Sequence, residues 1–451
     1  MSRTRDQQRL IDISNQNASQ PIYRLSPELI SEIFLHARPD PFAMRDATSA
    51  WAELVRYLTD ITSITGHLRH IALDYGELWS VVGFDDHMSV DFDNHFKRII
   101  VMKAFLERAR RCNLHFFFHG GDFAPSWFHP RLLVLIMPHI GRARTIHIRS
   151  DCWERLCVML YYAVNVNNLS LSMMCQSPTP PLDVLRQLKE LTLSLIPYHE
   201  SYHEIMKQVE KLDFDFDYLL GTSLGKWLGA SVQLKWLRIR DVDYLNELGP
   251  TDPNFLVRLE SLAYLDVSLR LYPWIAHRLS LPHLRHLILR PLSEPHLEPL
   301  DCCYPLLRTL CIVMKLDSIH LLPLIMNPQL EYLEIHWCSC GAELLTLMTE
   351  LLDPSQELTL PSRATFPGQS LKYFRLISTG LYEAEYKAPL SYHLSSILTK
   401  APHLKLDVVA QRAPPGFEGL VKCFPSQVKC YQRTDSIPLD ELYERAQKGY
   451  E

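Results

Sequence analysis

The chain of 451 residues has no run of 18 apolar residues, so no segment is expected to cross a bilayer as a helix. It also lacks a glycine-rich phosphate loop, a G-x-S-x-G elbow and a kinase signature set. The usual sequence marks of nucleotide and serine-hydrolase chemistry are therefore missing. Neither sign of charge is in large excess. Against 46 Lys and Arg stand 51 Asp and Glu, a formal net charge of −5, and no general attraction to nucleic acid or acidic lipid follows. The 11 cysteines are odd in number and have no framework spacing. Cys302-Cys303, Cys338-x-Cys340 and Cys423-x6-Cys430 lack the paired C-x2-C spacing of a structural zinc site. Buried, reduced thiols are expected, and with them a reducing compartment, the cytoplasm and/or nucleus. The opening stretch, MSRTRDQQRLIDISNQNASQ, has no apolar h-region, so it is expected to be disordered rather than a signal peptide.

What the chain does contain, in quantity, is one phrase, L-x-x-L-x-L. It reads VNNLSL at 166–171, LKELTL at 188–193, VEKLDF at 209–214, LKWLRI at 234–239 and LAYLDV at 262–267. It continues as LRHLIL at 284–289, LRTLCI at 307–312, LEYLEI at 330–335 and LKYFRL at 371–376. A looser copy, ARTIHI, stands at 143–148 and a shortened one, LKLDV, at 404–408. From 143 to 330 successive copies start 21 to 28 residues apart, the interval of leucine-rich repeats. One such unit is a strand plus a return segment, and its apolar side is buried only by stacking on the next unit. The leucines are expected to point into a continuous core, with the x residues on the other, concave face. Only Cys338 occupies the position where well-ordered repeats place Asn or Cys, so return helices of uneven length are expected. The alternative, ordinary leucine-rich strands in an α/β domain, does not require near-constant spacing.

Ahead of the repeats, Pro21 to Phe34 reads PIYRLSPELISEIF and Leu68 to Ser80 reads LRHIALDYGELWS. Ser26 can cap a helix that opens on Pro27, with Glu28 suiting the dipole of its first turn. Leu25, Leu29, Ile30, Ile33 and Phe34 then give helical spacing with an apolar face. These two segments resemble the F-box of fungal proteins, "LPxELLxxIF … WRxIAxxxPxLWS", with a long spacer and with Leu68 where many relatives have Trp. The fold class that follows is α/β, a small helical F-box domain before an irregular leucine-rich-repeat solenoid with a parallel sheet on its concave face. The boundaries are residues 1–20 disordered, 21–82 F-box-like, 83–142 linker and N-terminal cap, 143–408 repeats, and 409–451 tail or C-terminal cap. By resemblance, Leu25, Pro27, Leu29, Ile30, Ile33 and Phe34, assisted by Ile71 and Trp79, contact a Skp-family adaptor and through it a cullin. Part of that apolar set must also hold the helical domain together, and the sequence does not divide the two roles.

The resemblance implies a non-catalytic substrate receptor of an SCF-type ubiquitin ligase, with a protein target held by the repeats. Candidate target contacts are the outward positions Trp236, Arg238, Arg240, Tyr264, Asp266, His286, Arg290, Tyr332, Glu334, His336, Tyr373 and Arg375. Aromatic and arginine side chains often dominate binding energy, though the same side chains also tile a parallel sheet. The alternative is a repeat scaffold without ligase partners, its F-box-like segment a mere end cap. An enzyme is not expected, nor a cofactor, a metal, a nucleic-acid partner or a membrane. The one pattern that tempts is His199-Glu200-Ser201-Tyr202-His203, a literal H-E-x-x-H. Charged Glu204 follows it, Met206 and Val209 stand where an extended motif would place a further Gly and His, and it falls between two repeat phrases. A solvated return helix accounts for it.

Overall fold

In a computed structural model, the structure describes residues 20–40, 42, 47–85, 92–120, 128–150, 158–172, 182, 185–194, 202–215, 221–240, 256–268, 271–290, 304–314, 322–325, 327–337, 370–378, 394–399, 401–410 and 417–432. The chain divides into two compact units, Met1–Val209 and Glu210–Glu451. Of residues 1–20, expected to be disordered, 1–19 lie outside the described residues, as do GAELLTLMTELL at 341–352 and PLDELYERAQ at 438–447, both of which read as helices from sequence.

The first unit opens with helix Pro27–Ala37, capped as expected. The Leu29 amide donates to the Ser26 hydroxyl at 3.4 Å, with Pro27 and Glu28 in the first turn. Its inward residues are Ile30, Ser31 and Phe34. Helix Ala47–Ile64 fills the long spacer, for which the sequence reading names no element. Trp51, Leu54, Leu58 and Ile61 recur at helical spacing there and are all buried. Thr65 caps helix Gly66–Asp74 by accepting from the Leu68 amide at 3.3 Å, and the Tyr23 hydroxyl donates to Thr65 at 2.9 Å. The Trp79 indole, fully inside, donates to the Ala72 carbonyl at 2.8 Å.

These helices pack directly on the start of a parallel sheet. Strand β1, Val81–Asp85, pairs with β2, Leu114–Gly120, after the intervening helix Phe92–Arg108. Next come β3, Ala143–Ser150, β4, Asn168–Ser172, and β5, Glu190–Ser194, each parallel to the one before. The register aligns Val82, Phe116, Ile146, Leu169 and Leu191 in one buried row. A Cβ at Gly83 would stand 2.5 Å from the Trp51 ring, so helix Ala47–Ile64 can rest on β1 only because residue 83 has no side chain. Trp51 and Trp79 both meet Phe105 of helix Phe92–Arg108, at ring separations of 5.0 and 5.1 Å. The stretch 83–142, read from sequence as linker and cap, therefore contributes to the sheet itself, with the end of β1 and the whole of β2.

The second unit contains β6, Lys211–Asp215, β7, Trp236–Arg240, β8, Val257–Arg258, β9, Tyr264–Ser268, β10, Leu279–Ser280, and β11, His286–Arg290. It continues with β12, Thr309–Met314, β13, Tyr332–Trp337, β14, Tyr373–Ser378, β15, Lys405–Ala410, and β16, Val428–Gln432. Among the described residues, short β8 and β10 pair with each other alone, and the rest form one sheet in which every described pairing is parallel. All eleven repeat phrases thus fall on parallel strands. Leu212, Leu237, Leu265, Leu287, Leu310, Leu333, Phe374 and Leu406 make one continuous row, at most 1% exposed. The return segments are uneven, a helix of 10 residues at Gly221–Ala230 against 4 at Leu322–Ile325. Leu287→Ala, in mid-row and wholly enclosed, is expected to cost about 2–5 kcal/mol in a denaturant titration, since rigid neighbours on both sides limit collapse of the cavity.

Candidate functional site

Two surfaces merit attention, one in each unit. In the first, the apolar residues of helix Pro27–Ala37 form two stripes. Ile30 and Phe34 are buried with Ile71 and Trp79, so these four hold the helices together, and their expected part in a surface contact is corrected. Leu29 and Ile33, one turn apart, stay 54% and 45% exposed. With half-buried Leu25 and with Glu32, His36 and Ala37 they line a shallow apolar depression; Pro27 is exposed beside it. The geometry gives the reason for the division. Positions 29 and 33 share one helix face and 30 and 34 the next, and only one face can turn toward the domain core. At the rim the Tyr75 hydroxyl lies between the Glu32 and Glu77 carboxylates, at 3.0 and 3.1 Å.

In the second unit, the face opposite the leucine row presents two further rows set by the register. One runs Lys211, Trp236, Tyr264, His286, Thr309, Tyr332, Tyr373, Lys405. The other runs Asp213, Arg238, Asp266, Ile288, Cys311, Glu334, Arg375, Asp407. The second is a ladder of alternating charge interrupted by an apolar middle. Asp266, with no exposed surface, accepts from Arg238 Nε at 2.9 Å and from Arg290 Nε and Nη2 at 2.6 Å each. Asp213 accepts two bonds from Arg240, at 3.0 and 2.6 Å. Glu334, also buried, accepts from the Tyr332 hydroxyl and from His336 Nε2, both at 2.6 Å, with Arg375 Nη1 at 3.7 Å. Burial pushes the Glu334 carboxyl upward, but the hydrogen bonds and charges of His336, Tyr332 and Arg375 outweigh it and leave it below the ordinary value.

The Trp236 and Tyr264 rings stack at 5.2 Å and 7°, with Lys211 Nζ 5.0 Å from the Trp236 ring centre. They form a buried apolar cluster with Ile288, Cys311 and Val313. Trp236, Tyr264, Asp266, Glu334 and His336 are thus interior residues, and their expected role as outward contacts is corrected. Side chains on neighbouring strands are close enough to cover one another, so pointing away from the leucines does not mean reaching water. Of the candidate set, Arg240 and Tyr373 are exposed, while Arg238, His286, Arg290, Tyr332 and Arg375 are partly so. Asp213, Ile288 and Cys311 escaped the sequence reading although they occupy the same slot of the phrase as Arg238, Asp266 and Glu334.

Of the H-E-x-x-H motif, residues 199–201 lie outside the described residues; Tyr202 is buried, and exposed His203 opens a helix that ends at Met206. The described cysteines Cys112, Cys311, Cys423 and Cys430 are free thiols as expected, but Cys423 and Cys430 are exposed rather than buried. Among the described residues no helix is long and apolar enough to cross a membrane.

No protein-family model matches the chain, and no curated protein matches it. Among solved structures it is similar to an internalin (inlF) from Listeria monocytogenes, with a TM-score of 0.31 and 13% identity over 88% of this chain and 98% of that one. At that score the likeness assigns no function, and the repeat architecture stands on the phrase and the strand pairing.

Proposed function

We propose that this chain is a non-catalytic receptor subunit of an SCF-type ubiquitin ligase, with an F-box at residues 21–82 that docks a Skp-family adaptor. The observation that carries this reading is the unused apolar stripe of helix Pro27–Ala37. Leu29 and Ile33 stand in solvent while the other stripe of the same helix already holds the domain. About half of each side chain remains to be covered, which contributes roughly 1–1.5 kcal/mol apiece to a complex. The repeats bind a protein target, and the reachable side chains for it are Arg240, Tyr373 and the partly exposed Arg238, His286, Arg290, Tyr332 and Arg375. The subunit's contribution is proximity, a raised effective concentration of target lysines beside a ubiquitin-charged enzyme.

A rival reading, a repeat scaffold whose helices only cap the sheet, draws on the close seat of Trp51 over Gly83. Co-purification of the full chain with a recombinant Skp-family adaptor separates the two. Capture is expected, and Leu29→Asp with Ile33→Asp should abolish it by placing unpaired charge in the interface. Both positions are exposed, so the double variant should keep its circular dichroism and melting temperature. No capture of the wild type favours the cap. Undiminished capture of the folded variant moves the interface elsewhere.

A further inference from the structure

Cys311, Glu334 and His336 each offer a donor atom to one buried point, and these atoms lie within 4.8 Å of one another. Cys311 stands directly opposite Glu334 in the β12–β13 pairing, and His336 projects from the same face of β13 two residues on. Cys311 Sγ is 3.7 Å from Glu334 Oε1, and His336 Nε2 is 2.6 Å from the same oxygen. All three residues are buried. Sequence spacing gives no hint of this set, because its donors come from two strands and meet only through the register.

We infer that Cys311, Glu334 and His336 bind a divalent cation of the zinc class. The donor set is what selects it. One thiolate, one imidazole and one carboxylate suit zinc or cobalt, whereas magnesium and calcium prefer oxygen alone. With bonds of about 2.0–2.3 Å, donors around a tetrahedral zinc stand roughly 3.3–3.6 Å apart. The His336–Glu334 pair reaches that spacing by opening its hydrogen bond by about 1 Å or less, the Cys311–Glu334 pair stands at 3.7 Å, and Cys311 and His336 lie within 4.8 Å of each other. Loading replaces the hydrogen bonds among these three side chains by metal bonds and adds a net charge of +1, which the Glu334 carboxylate and the new thiolate face directly. Cys311 gives its proton to solvent and coordinates as thiolate, the neutral His336 ring exchanges its Nε2 proton for one on Nδ1 and coordinates through Nε2, and Glu334 coordinates through Oε1. The Oε2 oxygen keeps its bond from Tyr332. One proton leaves for each ion bound when His336 is neutral, so affinity should rise with pH by about tenfold per unit. Three protein donors leave one tetrahedral position, for water or for a group on a molecule held against this face. The site does not depend on the ligase reading, and each survives the failure of the other.

The test uses the full chain, stripped of metal with a chelator and titrated with cobalt(II). A thiolate-to-cobalt charge-transfer band saturating at about one equivalent, and displaced by zinc, is expected. Cys311→Ser should remove the band, and His336→Gln should weaken binding at least about tenfold. Cys423→Ser and Cys430→Ser should leave it unchanged. If Cys311→Ser does not fold, X-ray absorption at the zinc edge of the wild type decides, with one sulfur and the remainder nitrogen or oxygen expected. Absence of a cobalt band, a band that survives Cys311→Ser, a zinc edge without sulfur, or zinc lost on His203→Ala would each overturn the assignment.

Discussion

Asp266→Ala is expected to destabilise the second unit by roughly 3–5 kcal/mol, read as a lowered urea midpoint. The carboxylate has no exposed surface and is shared by two guanidiniums, that of Arg238, 13% exposed, and that of Arg290, 24% exposed. Its removal leaves both cations in a largely water-excluded place. Asp213, 3.7 Å from Arg238 Nη1, already binds Arg240 and compensates only in part. The loss therefore reflects abandoned charge more than the net worth of the ion pairs. Replacing the carboxylate and both arginines together by apolar side chains should cost much less, because no cation is then left behind. Arg240→Ala supplies the contrast. That side chain is 47% exposed, and about 1 kcal/mol or less is expected from its removal. Equal effects of Asp266→Ala and Arg240→Ala would show that the ladder is ornamental and that the fold rests on the leucine row alone.

The leucine row was legible in the sequence because its signal is redundant. Each phrase carries two or three large apolar residues at fixed offsets, and copies recur at the interval one strand and one return segment require. β1 and β16 were not legible. VVGFD and VKCYQ lack the flanking leucine that marks the phrase, and each joins the sheet through a neighbouring strand already in place. The Ser26-Pro27 start was readable because capping is local chemistry. The partition of that helix into a buried and an exposed stripe was not, since both stripes are apolar and only packing against Ile71 and Trp79 chooses between them. The same limit explains the face opposite the leucines. A single phrase shows that Trp236 or Asp266 points away from the core, but whether it meets water depends on cross-strand neighbours. Those neighbours follow from register, as Arg238 with Asp266, Trp236 with Tyr264 and Cys311 with Glu334 all show.

Acidification from about pH 6.5 to pH 4 is expected to destabilise both units, each through one half-buried histidine. His147 in β3 is held down to about 4, from an ordinary 6.5, first by burial and then by the charges of His119 and Arg149. Its ring lies 5.2 Å from that of Phe117 and 6.4 Å from that of Phe42, which leaves little water to receive an imidazolium. His286 in β11 is likewise lowered to about 4, first by burial and then by Arg285 and Arg308. The sign follows from which state binds the proton. Between pH 6.5 and 4 the unfolded chain protonates both rings while the folded chain keeps them neutral, so stability falls as pH falls through that window. Each tenfold loss of proton affinity on folding corresponds to about 1.4 kcal/mol, so each histidine contributes on the order of 3 kcal/mol once the window is crossed. Glu334 acts in the same direction only further down, as its lowered carboxyl takes up a proton below the ordinary carboxylate range. Urea midpoints measured across the window should slope downward toward acid, and His147→Gln and His286→Gln should flatten the slope separately, one for each unit. A double variant that keeps the full slope between pH 6.5 and 4 would place the acid sensitivity on other groups, with the carboxylates of the ladder first in line.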